Sequence, residues 1–286
     1  MRFRTAVRAL MTAVLVLTTS TPVYPQSASA PAEQAAISNE DLLQATALDE
    51  VFAEFGAGIA QAPQEQGIPF TAAMQTAWTA AAHEVFDATQ MQHRLAQTMA
   101  DKFSADDYAA YADFFGAEFG QQITVIERAI ASLPAARQLE ARDVGIGLAG
   151  AAAGSTRAGQ IDEMLDLVSA DIAKAMIRQS VRGMLLGLSM AGGQGDIEIS
   201  WEDIDAQMDA IMPELEADIA LTQRAMMFFA YRDLGEAELE AYLQFLRTDS
   251  ARKLYAVAAF AIGQIVADRM ERFGVTLSRK LDQVNT

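Results

Sequence analysis

The chain has no cysteine, only two histidines, seven prolines in 286 residues, and far fewer basic than acidic side chains. Without cysteine there is no thiol nucleophile, no disulfide and no thiolate metal site. The 18 glycines and seven prolines exclude collagen-like and proline-rich classes, and the 51% apolar content excludes a disordered chain. Lys and Arg number 21 against 38 Asp and Glu, a formal net charge of −17. Nucleic acid needs a basic patch for its phosphates, so it is not an expected partner.

The first 32 residues read as a secretory signal. Arg2, Arg4 and Arg8 form a basic start, Ala9 to Leu17 a short apolar run, and Thr18 to Ala30 a polar tail. The run is too short for a membrane span of about 20 residues. Pro31 disfavours cleavage after Ala28-Ser29-Ala30, so Ala30-Pro31-Ala32, followed by Glu33, is the expected site. No cysteine lies near it for lipid attachment. Export and cleavage would leave 254 residues with a net charge of −20, enough chain for a sizeable core. No later segment has the length and apolarity of a span: Val144 to Ala153 is short, and Val181 to Gly193 contains Arg182. The expected location is the periplasm or the exterior.

What the chain does have is helical periodicity nearly everywhere. Tyr108, Tyr111 and Phe115 step by three and four, and Phe119, Ile123, Ile126, Ile130 and Leu133 continue the stripe. Ile161, Leu165, Val168 and Ile172 do the same, as do Trp201, Ile204, Met208 and Ile211. Helix starts are marked by Ser38 with Asp41, Ser104 with Asp107, and Ser200 with Asp203. Pro213, followed by Glu214 and Glu216, reads as a further start, and Pro134 should break the helix it interrupts. No alternating β-branched run appears. The expectation is an all-α fold.

A shift of 131 positions brings similar features into register. Tyr111 falls on Tyr242, Phe114 on Phe245, Phe115 on Leu246, Ile123 on Leu254 and Phe70 on Trp201, while the loop Gln61 to Gly67 falls on Gly192 to Glu198. This predicts a duplicated helical bundle: unit 1 over 33–155, unit 2 over 156–286, joined in the stretch Gly150 to Gly159, the two packed on each other through their apolar stripes.

The segment Leu234 to Lys253 (LGEAELEAYLQFLRTDSARK) resembles the core motif of an exported proteobacterial family, domain of unknown function 2059. That motif has an acidic helix start, a short helix ending in an aromatic pair, a small-residue turn, and a long helix opening with Lys or Arg. Lys102 to Gln122 repeats it, with Phe114-Phe115 as the aromatic pair and Gly120 at the turn. The first copy carries Phe119 where Ser250 stands and Gln122 where Lys253 stands. The resemblance implies an all-helical exported protein and brings no reaction and no catalytic residues with it.

Few residue groups suggest chemistry. His83 with Asp87 and Glu84 could contribute metal ligands, although a solvated histidine beside acids is the plainer reading. His93 lies too far along the helix to share an ion with it. Acids cluster from Asp196 to Asp218, and Glu202, Asp205 and Asp209 share one helical face, but no calcium-loop spacing accompanies them. Gly192-Gly193-Gln194-Gly195 reads as a loop, since the acids after it would repel phosphate. No nucleophile elbow, phosphate loop or dinucleotide fingerprint is present. No catalytic, cofactor-binding or metal residues are therefore assigned. The methionines, among them Met164, Met176, Met184, Met190, Met226 and Met227, suit a helical core or an adaptable apolar groove. The expected function is a non-enzymatic protein-interaction or self-assembly module, and the alternative is a binder of a hydrophobic small molecule or lipid.

Overall fold

The computed structural model describes residues 37–53, 55–65, 70–168 and 201–284. Among them every regular element is helical, and the all-α expectation holds. The first half contains α1 (Asn39–Ala45), a 3-10 turn (Leu48–Glu50), α2 (Phe55–Glu65), α3 (Ala72–Val85), α4 (Ala88–Ala100), α5 (Ala105–Gly116), α6 (Glu118–Ala131) and α7 (Ala135–Ala151). The second contains α8 (Thr156–Val168), α9 (Trp201–Ala230), α10 (Glu236–Leu246) and α11 (Asp249–Val284).

Helix starts follow the local chemistry. The Ser38 hydroxyl accepts from the Asp41 N–H at the head of α1. Ser104 and Asp107 close a reciprocal box on α5, with the Ser104 N–H donating to the Asp107 carboxylate at 2.8 Å. Thr71 caps α3 and Asp87 caps α4. Each such cap satisfies an amide that the helix leaves unpaired, worth about 1 kcal/mol. Ser200 lies outside the described residues.

The two prolines behave differently. Pro134 sits extended (φ −58°, ψ 148°) between α6 and α7, the break its fixed ring predicts. Pro213 lies inside α9, which begins at Trp201, and so does not start a helix as expected. An interior proline costs about 3 kcal/mol. Here α9 runs on because it packs along α7, the most extensive helix pairing in the fold. The close approach is made at Gly145, where a Cβ would lie 1.9 Å from the Ala225 carbonyl oxygen. A Cβ at Gly150 would meet nothing within 4 Å, and Gly154 takes a positive φ of 77° just past the end of α7.

One apolar core runs through both halves. The 36-residue α11 lies on α3 and α4. Phe273 meets Trp78 edge to face (4.8 Å between centroids) and Phe86 at 5.5 Å. The Trp78 indole N–H donates to the Ile59 carbonyl of α2 at 2.7 Å. Polar contacts fix the direction of α11: Asp268 pairs with Arg94, Arg269 donates to the Val85 carbonyl, and Arg279 and Lys280 both reach Glu84. Met91, Met99, Met164 and Met270 are buried, as the core reading of the methionines expects. Met176, Met184 and Met190 lie outside the described residues.

Candidate functional site

The two motif segments meet. The α5–α6 and α10–α11 hairpins lie against each other, and their equivalent phenylalanines stack: Phe114 and Phe245 are 3.7 Å apart and within 4° of parallel. Phe245 is buried and Phe114 half-buried. The bend between α5 and α6 falls at Ala117, which is extended. Gly120, expected at the turn, stands inside α6. A Cβ there would lie 1.9 Å from the Phe114 carbonyl oxygen, so the glycine allows the hairpin to close.

At the far end of this contact Asp107 joins the hairpins. Its carboxylate accepts from the Lys253 ammonium at 2.5 Å and from the Ser250 hydroxyl at 3.2 Å. Tyr111 donates to the Ser250 carbonyl at 2.8 Å. The Lys253 ammonium first, and then the Ser104 N–H, hold the Asp107 carboxyl well below the ordinary carboxylate range.

Beside the stacked rings lies a half-buried glutamate. Glu127 of α6 accepts from Tyr231 and from Tyr242, both at 2.7 Å and both to the same oxygen. The Tyr242 hydroxyl is 3.3 Å from that of Tyr255. The three tyrosines are no more than 6% exposed. Burial pushes the Glu127 carboxyl above its ordinary value, against the two phenol donors, and pushes the tyrosines up with it. No sequence motif singled out this residue. The available signal was its spacing of four from Ile123, which put it on the buried stripe. Its ring partners come from three separate elements and carry no local signature.

The exposed counterpart of this junction is a groove of about 290 Å³ between α4 and α11, lined by Thr98, Lys102, Lys253, Ala256, Val257 and Phe260. The chain has only four lysines, and two of them are here. Phe260 is 62% exposed, on a helix whose opposite face is core. Lys102 makes no ion pair among the described residues, whereas Lys253 is shared with Asp107 and lies 5.9 Å from the Phe103 ring. The groove can hold negative charge at one end and apolar surface at the other.

The other residues singled out by sequence are otherwise engaged. His83 sits in the last turn of α3, but Glu84 is bound by Arg279 and Lys280, and Asp87 caps α4. The structure does not gather these side chains around a common point as metal ligands. His93 bonds Gln97 on the surface. Asp218 of the acidic cluster pairs with Arg142 of α7. Asp196 and the Gly192 to Gly195 loop lie outside the described residues, as does the segment expected to be a signal.

No helix among the described residues is long and apolar enough to cross a membrane. Comparison with models of known families, with curated proteins and with solved structures gave no match.

Proposed function

We propose that this chain is an exported, non-enzymatic binding protein of the cell envelope, and that the groove between α4 and α11 is its binding surface. The observation that carries this reading is the coincidence, on a chain of net charge −17, of two of its four lysines with a phenylalanine 62% exposed. Exposed apolar surface rimmed by charge is what binding grooves present. Export is supported by the arginines and short apolar run at the N-terminus, and kinship with domain of unknown function 2059 by the motif from Leu234 to Lys253.

The test is native mass spectrometry of the exported protein, wild type beside the double variant K102E/F260D. Both positions are exposed, so the variant should fold normally. The expected result is a bound component or second copy on the wild type that the variant lacks. Wild type and variant both flying as the bare monomer would refute the reading.

A further inference from the structure

We infer that the groove takes a single-chain anionic amphiphile, its charged head between Lys102 and Lys253 and its apolar tail along Ala256, Val257 and Phe260. This rests on the reading of the groove as the binding surface and adds the class of ligand.

Lysines and apolar side chains share the lining of the groove. The pairs Arg94 with Asp268 and Gln90 with Arg269 show that α4 and α11 run antiparallel. Lys102, just past the end of α4, therefore lies alongside the first turns of α11, where it and Lys253 line the same groove. From Lys253 to Phe260 is seven residues, about 10 Å of helix at 1.5 Å per residue. Lys253 stands at one end of that length and the exposed ring at the other, with Lys102 on the facing wall. Lysine offers a compact point charge with three donors, which suits a carboxylate, sulfate or phosphate head without demanding a planar one. Lys102 makes no ion pair among the described residues, and Lys253, paired with Asp107, still has donors in excess of that one contact.

Size separates this ligand from a protein partner. A stable protein interface takes about 20–30 residues a side. Six residues line this groove, and its volume of about 290 Å³ stands at the lower edge of small-molecule sites, which start near 300 Å³. An anionic bilayer is disfavoured by a formal charge of −17, since the field of the whole chain repels a surface of the same sign. A lone anion in contact with two lysines escapes most of that field within a Debye length of about 8 Å.

The probe is decanoate, titrated calorimetrically into the full exported protein. Decanol supplies the same tail without charge, inorganic phosphate the charge without a tail, and phosphatidylglycerol vesicles the same chemistry as a surface. Decanoate should bind saturably. Decanol and phosphate should each bind at least about tenfold more weakly, and the vesicles should not bind. K102E and F260S, which alter exposed side chains and should leave the circular dichroism unchanged, should each weaken decanoate about tenfold. The inference is overturned if decanoate gives no saturable heat, if decanol matches it, if K102E leaves it unchanged, or if only the vesicles bind. A second copy or protein lost from K102E/F260D in native mass spectrometry, with no decanoate binding, would overturn the ligand class and leave the groove as a binding surface.

Discussion

The dependence of the second half on the first can be put to a sharp test by expressing residues 160–286 alone. In the whole chain the stretch of α11 around Ile265, Val266, Met270, Phe273 and Leu277 is buried, none of these residues being more than 2% exposed. The contacts of its neighbours Asp268, Arg269, Arg279 and Lys280 with Arg94, Val85 and Glu84 show that this stretch lies on α3 and α4. Removing residues 1–159 takes away that cover. At about 1.5–3 kcal/mol for each large apolar side chain returned to water, five of them forfeit about 8–15 kcal/mol. A whole domain has only about 5–15 kcal/mol of net stability. The fragment should therefore be unfolded, or should hide the stretch by self-association. Size-exclusion chromatography with light scattering, followed by urea unfolding, reads this directly. A monomeric fragment that unfolds cooperatively would refute the reasoning and show two independent folding units. Phe273→Ala in the whole chain probes the same contact and should cost about 3–5 kcal/mol.

Truncating Phe245 to Ala removes a buried ring stacked on Phe114 and should also cost about 3–5 kcal/mol in urea unfolding; a cost below about 1 kcal/mol would mean that the stack contributes little. Glu127 has a raised folded-state pKa, so its contribution to stability is fully present below its ordinary value near 4.5 and is lost as pH rises through the folded value. Glu127→Gln should accordingly flatten the decline of Tm across that window, and an unchanged profile would show that the carboxyl does not titrate there. Asp107 has the opposite sign: its contribution is present above the ordinary aspartate value near 3.8 and is lost as pH falls towards its lower folded value, so Asp107→Asn should flatten the acid limb. N-terminal sequencing of the exported protein should begin between Gln26 and Glu33, and an intact Met1 in the cytoplasm would overturn the compartment.

The parts of the fold legible in sequence were those set by neighbours a few residues away. Periodicity gave the helices, Ser38 and Ser104 their starts, and Pro134 a break, because each depends on contacts within one turn. Pro213 misled for the complementary reason: its local preference was overridden by packing between α9 and α7, which no window of sequence contains. The backbone approach at Gly145 depends on Ala225, eighty residues on. The candidate site was the least legible part. Lys102 and Lys253 are 151 positions apart, and Glu127 meets tyrosines more than 100 positions away, so neither cluster leaves a spacing to read.

The 131-residue shift bears on how many ligands one chain can take. Helix starts at Ala105 and Glu236, and at Glu118 and Asp249, are each 131 apart, and Phe114 stacks on the phenylalanine it maps to. A duplication would account for this. The two segments also differ. Pro134, which separates α6 from α7, maps to Ile265, and α11 runs on unbroken. The Tyr111 hydroxyl bonds a backbone carbonyl, whereas Tyr242 bonds Glu127. The groove diverges most. Its residues Thr98, Lys102, Lys253, Ala256, Val257 and Phe260 map to Phe229, Asp233, Gln122, Val125, Ile126 and Ala129. An aspartate replaces one lysine and a glutamine the other, so neither lysine position carries a cation, and Arg232, whose guanidinium lies over the Phe229 ring, is paired with Asp233. Val125 is 67% exposed there, so the apolar surface is kept while the lysine pair is not. A ligand that needs both charge and tail should therefore bind once per chain. Calorimetric titration with decanoate should give a stoichiometry of one, its affinity weakened about tenfold by Lys102→Glu. A second equivalent site surviving that substitution would show that the apolar surface, common to both faces, and not the lysine pair, selects the ligand.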